Sequence, residues 1–212
     1  MALRPVLVLA GVLSIAAPAA AIAAVRLDGD VLVIEGTIRP LEQCSVATLL
    51  DVHPDIRRAR IDSPGGDAWA GAQIGRLFGW ADLEVVIPKG ASAYSAAAIA
   101  ALGAPRRRID GYLGLHRPYL VGVDRAGFGP ELVEEVIAED VAVLREAGVT
   151  ERVIDIAMQT RGNRVFLTIT QQTADSFHHQ GHLDRERVQH LAQACRNVPA
   201  PPAEAVAATR VQ

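Results

Sequence analysis

Apolar residues recur along the chain with two periods, one fitting strands and one fitting helices, and the two alternate. Val31-Leu32-Val33-Ile34-Glu35-Gly36-Thr37-Ile38 is rich in β-branched residues and predicts a first strand, with Gly36 at a bulge or close approach. Leu41, Val46, Leu49 and Leu50 have roughly helical spacing, and His53-Pro54 stops that helix. Arg58 to Asp62 reads as a short buried strand running into Ser63-Pro64-Gly65-Gly66. From Ala68 to Trp80 the residues Ala70, Ile74, Leu77 and Phe78 share one helical face, with Asp67 placed to cap the helix rather than to catalyse. Leu83 to Ile87 predicts another strand, which Lys89-Gly90 turns towards an Ala-rich helix opening around Ser95. Tyr112-Leu113-Gly114-Leu115-His116 is the next strand, ended by Arg117-Pro118. Strands and helices in this order predict an α/β layered fold of repeated strand-helix units rather than an antiparallel sandwich.

The second half reads as mostly helical. Val133, Val136, Ile137, Val141 and Leu144 line one face from Glu131 to Ala147, and Gly148 supplies the stop. A shorter helix follows from Glu151 to Gln159, and Arg164 to Leu167 resembles a last strand. Thr170 fits as the N-cap of a helix running to His179 and closing near Gly181, and Asp184 to Cys195 is a terminal helix. From Pro199 the Pro/Ala-rich tail buries too little to order itself, so the expectation is one domain over residues 24–198 and a disordered tail over 199–212.

Composition changes this picture at the N-terminus. Met1 to Arg4 supplies a short basic segment, Pro5 to Ala17 is almost wholly apolar, and Ala21-Ile22-Ala23 is a small-x-small cleavage site. This is the pattern of a signal peptide over residues 1–23, with the mature protein exported to the periplasm or secreted. The competing reading is an uncleaved anchor, because the apolar stretch approaches the roughly 20 residues that span a bilayer; membrane association is expected only in that case. Net charge is −3 over 212 residues. The basic residues are dispersed except for Arg106-Arg107-Arg108, read here as a solvated loop, so a nucleic-acid partner is not expected. The two cysteines, Cys44 and Cys195, either pair in the oxidising environment that export implies or serve as separate buried hydrophobes.

Three segments carry candidate chemistry. Ile61-Asp62-Ser63-Pro64-Gly65-Gly66-Asp67 can present backbone N–H groups to an oxyanion. Gly90-Ala91-Ser92-Ala93-Tyr94-Ser95-Ala96-Ala97-Ala98 can present a hydroxyl at a helix N-terminus. Gly114-Leu115-His116 can present a base at a strand end. Taken singly, each has a plainer explanation: a small residue tolerated among alanines, a strand-to-helix turn, an edge-strand histidine. Ser92 is a fallback nucleophile, placed before the expected helix start. His178, His179 and His182 do not complete a metal ligand set, since Gly181 should end the helix before His182 and no Cys or Glu accompanies them. No metal or cofactor is expected.

In order and spacing, these segments resemble the Clp and signal-peptide-peptidase-A serine peptidases within the wider ClpP/crotonase-like fold, and most of all an exported, periplasmic Clp-like branch. The resemblance runs from about Val31 to Leu183. It implies Ser95 as nucleophile, His116 as base, and the Gly66 and Ala96 amides as the oxyanion hole. It also implies a peptide or protein substrate and assembly into a homo-oligomer, for which the Glu131–Ala147 helix is the expected contact.

The chain departs from the family pattern twice. Where the exported branch carries a Cys-x-Ser-x-Cys arrangement, this sequence has Ala93 and Ala97. Where Clp peptidases place the Asp that orients the histidine, it has Asn163 or Arg164 before Val165-Phe166-Leu167. Asn163 is the candidate orienter, with Asp155 and Asp175 as alternatives that read better as surface charges. The expectation is therefore an exported serine hydrolase, a peptidase, working through a Ser-His dyad and an acyl-enzyme. The competing expectations are an inactive scaffold of the same fold, supported by the missing Asp, and an acyl-CoA enzyme, which gives the Ser-His pair no role.

Overall fold

A computed structural model describes residues 24–121, 130–161, 166–198 and 210–211. Five strands form the main sheet: β1 (Ala24–Asp28), β2 (Val31–Glu35), β3 (Arg58–Asp62), β4 (Glu84–Ile87) and β6 (Arg106–Ile109), in that spatial order. β1 and β2 are an antiparallel hairpin through Gly29 at φ +61°; β2, β3, β4 and β6 are parallel. The hairpin strand β1 lies ahead of the first predicted strand, in the segment whose composition was read only as the start of a mature chain.

Helices α1 (Glu42–Val52) and α2 (Ala68–Trp80) make the crossovers that parallel strands require. α3 (Ala96–Leu102) follows the short strand β5 (Ser92–Tyr94), which pairs in parallel with β7 (Tyr112–Leu115). β7 in turn pairs antiparallel with β9 (Leu167–Thr168), so β5, β7 and β9 form a second, smaller sheet. α4 (Pro130–Glu146), α5 (Glu151–Gln159), α6 (Gln171–Asp175) and α7 (Arg185–Arg196) make up the helical second half. β8 (Leu120–Val121) pairs with β10 (Arg210–Val211), the only described part of the expected disordered tail.

Along β3 burial alternates, with Ala59 and Ile61 fully buried while Arg58 and Asp62 are exposed and Arg60 is half-buried. The outer face carries charge: Arg60 bonds Glu35 at 2.9 Å, and Arg26 bonds the same carboxylate at 3.2 Å. The short strand expected to be buried is therefore buried at Ala59 and Ile61 and exposed at its two ends.

The Arg106-Arg107-Arg108 run is strand β6, not a solvated loop. Period-2 alternation sends Arg106 and Arg108 outwards and Arg107 inwards. There Arg107 donates to three backbone carbonyls, those of Ala104 (2.7 Å), Ala147 (3.2 Å) and Ala174 (3.3 Å), beside the C-terminal ends of α3, α4 and α6. Carbonyls left over at helix ends need such donors. Burial lowers the Arg107 pKa to about 10.

The helix opened by Thr170 ends at Asp175, well before His179. Val136, Val143 and Leu144 of α4 are almost fully buried within the chain. That part of the apolar face is used internally. Cys44 on α1 and Cys195 on α7 form a disulfide.

Candidate active site

The carboxyl ends of β3, β5 and β7 converge, and each is followed by one of the three candidate segments. Ser63 forms a bridge with Ala93: its N–H donates to Ser92 O (2.7 Å) and its carbonyl accepts from Tyr94 N–H (3.1 Å). Its buried hydroxyl accepts from the Gly65 N–H at 3.1 Å and shapes the turn. Gly65 and Gly66 then adopt φ +97° and +145°, which only glycine takes without strain. A Cβ on Gly65 would lie 2.7 Å from Ser95 Cβ and 3.2 Å from Ala96 N, and one on Gly66 would lie 2.0 Å from Ile38 O. The turn is thus pressed directly against the serine-bearing segment. Asp67 caps α2, accepting from the Ala70 N–H at 2.7 Å.

Ser95 stands where the expected Ala-rich helix opens. It is the N-cap of α3, at φ 55° and ψ −123°, a conformation a side chain rarely adopts. Its N–H donates to Gly114 O (2.9 Å), and its carbonyl accepts from Ala98 and Ile99 N–H. With the backbone fixed on both sides, the strain is locked in, as at sharp strand-to-helix turns that project a nucleophile. Ser92, the fallback, is held within β5 by a bond from its N–H to Asp62 Oδ1 at 3.0 Å.

The N–H groups on either side are accounted for except those of Gly66 and of the first two residues of α3, Ala96 and Ala97. Gly65 N–H goes to Ser63 Oγ and Asp67 N–H to Ile38 O, while neither Gly66 nor Ala96 N–H has an acceptor among the described residues. Ala96 is the first residue of α3, where N–H groups are unsatisfied by construction. Those of Gly66 and Ala96 are the two amides that the resemblance implies as an oxyanion hole.

His116 follows β7 and is 5% exposed. Burial pushes its pKa below the ordinary histidine value, with a partial offset from the Arg117 carbonyl, so the ring is neutral at physiological pH. That is the form a base must start from. Its Nδ1 lies 2.7 Å from Arg117 O. Phe166 meets the ring edge-on at 5.1 Å and stacks on Tyr94 at 4.6 Å, and Tyr119 is tilted against the ring at 5.5 Å. Sequence reasoning used Phe166 only as a landmark and did not see this aromatic wall; the signal was Gly114, where a Cβ would lie 2.8 Å from a Tyr94 ring carbon and 2.9 Å from Phe166 Cβ.

Among the described residues, no hydrogen bond joins Ser95 Oγ to His116 and no carboxylate bonds the His116 ring. Asp155 and Asp175 are exposed, and Asp175 accepts from Gln171 instead. Asn163 and Arg164 lie outside the described residues. Among the described residues no three His, Cys, Asp or Glu side chains gather as a metal site. Gly65 is in contact with Ser95 and Ala96, and His116 lies two residues after Gly114, whose carbonyl accepts from the Ser95 N–H.

The fold is that of ClpP-like proteins. ClpP1 from Listeria monocytogenes is 18% identical with a TM-score of 0.53, covering 70% of this chain and 86% of that one. A membrane protease specific for a stomatin homolog from Pyrococcus horikoshii is 21% identical with a TM-score of 0.44, covering 76% and 75%. A probable enoyl-CoA hydratase/isomerase from Mycobacterium abscessus is 10% identical with a TM-score of 0.39, covering 80% and 74%. No protein-family model and no curated protein matches the chain.

Proposed function

We propose that this chain is a serine hydrolase acting on peptide or protein substrates through an acyl-enzyme. The observation that carries this reading is the strained Ser95 elbow flanked by the acceptor-free amides of Gly66 and Ala96. In the first step Ser95 Oγ attacks the substrate carbonyl while His116 Nε2 takes its proton. The carbonyl oxygen becomes an oxyanion held by the Gly66 and Ala96 N–H groups. His116 returns the proton to the leaving amine as the C–N bond breaks. A water molecule, deprotonated by the same ring, then releases the acyl group and restores Ser95. The missing Ser95–His116 hydrogen bond is compatible with this, because such bonds often tighten only when substrate binds.

The export reading is supported by the basic, apolar and small-residue order of residues 1–23 and by the Cys44–Cys195 disulfide, a bond that persists in oxidising compartments. Cleavage after Ala23 would leave β1 intact from its first residue. Intact mass of the purified mature protein tests this, and a retained N-terminus would favour an anchor.

The activity is tested by intact mass after treatment with a fluorophosphonate probe. One adduct is expected on the wild type, absent in Ser95→Ala and slowed in His116→Ala. A folded wild type that takes no adduct would favour a non-catalytic scaffold, the second reading, whose support is the absence of a carboxylate on the His116 ring among the described residues.

A further inference from the structure

A carbonyl oxygen can only accept, so the 2.7 Å contact between His116 Nδ1 and Arg117 O fixes the proton on Nδ1 and leaves the Nε2 lone pair free. That is the tautomer a general base requires, and in serine hydrolases it is commonly set by a carboxylate. A main-chain carbonyl can take over this task only if the main chain is held still, and Arg117 is held from three sides. Its N–H donates at 3.0 Å to Thr160 O, at the C-cap of α5. Its Nη2 donates at 3.1 Å to Glu134 on α4. Pro118 follows it, is buried, and restricts Arg117 to extended backbone. Thr160 is itself fixed, its N–H and hydroxyl both returning to Ile156 O on the last turn of α5.

We propose that Arg117 is the positioning residue of the base: its carbonyl performs the task commonly given to a carboxylate, and the C-terminus of α5 anchors it. The proposal rests on the Ser95–His116 reading and extends it to the helical half of the chain. It explains how a site with no carboxylate on its histidine among the described residues can hold the productive tautomer. A carbonyl stabilises imidazolium less than a carboxylate does, so turnover is expected to be slow while labelling of Ser95 remains measurable.

Two measurements test this separately from the hydrolase reading. The first is nitrogen NMR of histidine-labelled full-length mature protein, with the His116 ring assigned by its loss in His116→Gln. The expected result is a neutral ring protonated on Nδ1; a neutral ring protonated on Nε2 overturns the proposal whether or not Ser95 reacts with any probe. The second is the pH dependence of fluorophosphonate labelling. The carbonyl bond favours the protonated ring, so weakening it lowers the His116 pKa. Pro118→Gly, which frees the Arg117 backbone, should lower the plateau rate about tenfold and move the acid limb to lower pH, while Pro118→Ala gives an intermediate value. An acid limb displaced by Asn163→Ala and not by Pro118→Gly would assign the position to Asn163 and overturn the proposal.

Discussion

The site-bearing half, β2 to β7, and the helical half, α4 to α7, are held together by different physics. In the first, backbone touches backbone. A Cβ on Gly71 of α2 would lie 2.5 Å from Ala96 O, one on Gly75 3.0 Å from Ile99 O, and one on Gly103 2.4 Å from Gly75 O. In the second, a few side chains act as fasteners. Arg107 gathers three carbonyls, Arg76 binds Glu139 (2.7 and 3.1 Å) and Glu146 (2.7 Å), Arg196 binds Asp51, and Cys44–Cys195 ties the last helix to the first. Close packing spreads stability over many small residues, whereas fasteners concentrate it in a few. The first arrangement suits a site whose serine must not move, since α3 carries Ser95 at its N-cap and is seated against glycines of α2.

The comparison breaks most severely at Gly71. Gly71→Val places two methyl groups where the Ala96 carbonyl already lies, and overpacking of this kind should cost about 3 kcal/mol or slightly more. Urea unfolding gives the stability, and fluorophosphonate labelling should be lost in whatever fraction remains folded. Undisturbed labelling would show that the α2–α3 seat does not position Ser95.

The fasteners are expected to yield less. Replacing Cys44 and Cys195 together with serine removes a link spanning 151 residues; disulfides of long span typically contribute about 2–4 kcal/mol, and a loss near 2 kcal/mol is expected here because Arg196–Asp51 also holds α7 to α1. Reduction of the wild type should reproduce the shift in urea midpoint, and reduction of the double variant should do nothing.

The same difference decides what could be read from sequence. Close packing leaves a local signature, because Gly65-Gly66, the Ala96–Ala101 run and the periodic apolar residues of α2 sit together in the chain and each element is short-range. The strand-helix order, the Asp67 cap and the close approach of the Gly65-Gly66 turn to the Ser95-Ala96 segment were all legible on that basis. Long-range fasteners leave no such trace. Arg107 reaches carbonyls up to 67 residues away, and nothing local marks it among three adjacent arginines. The Cys44–Cys195 pairing could be raised but not decided, since it depends on how α7 returns to α1. The backbone of Ser95 escaped notice because an N-cap at positive φ and a first helical residue have the same sequence, and the role of the Arg117 carbonyl escaped because a main-chain group has no letter of its own.

The strain stored at Ser95 allows the two halves of the comparison to be separated by sign. Ser95→Gly should be more stable than the wild type by about 1 kcal/mol, because glycine takes φ 55° without steric cost. It should also be inert to the probe. A Ser95→Gly protein no more stable than Ser95→Ala would mean that the elbow is unstrained, and that its geometry reflects packing alone.

The smallest effect concerns Asp140, a buried carboxyl on α4. Its carboxyl is 2% exposed, its Oδ1 has no hydrogen-bond partner, and burial, with Glu139 and Asp67 nearby, raises its pKa well above the ordinary carboxylate value. A group that binds its proton more tightly when folded contributes most below the unfolded value of about 3.9, and that contribution is lost as pH rises towards the folded value. Asp67 is displaced in the same direction by its own burial, and His116 in the opposite one, so the wild-type curve alone does not isolate Asp140. The difference between wild type and Asp140→Asn does. At pH 4 the two should agree within about 0.5 kcal/mol, and above it the variant should gain steadily on the wild type. Parallel curves from pH 4 to 8 would show that Asp140 is ionised in the folded chain and has a partner.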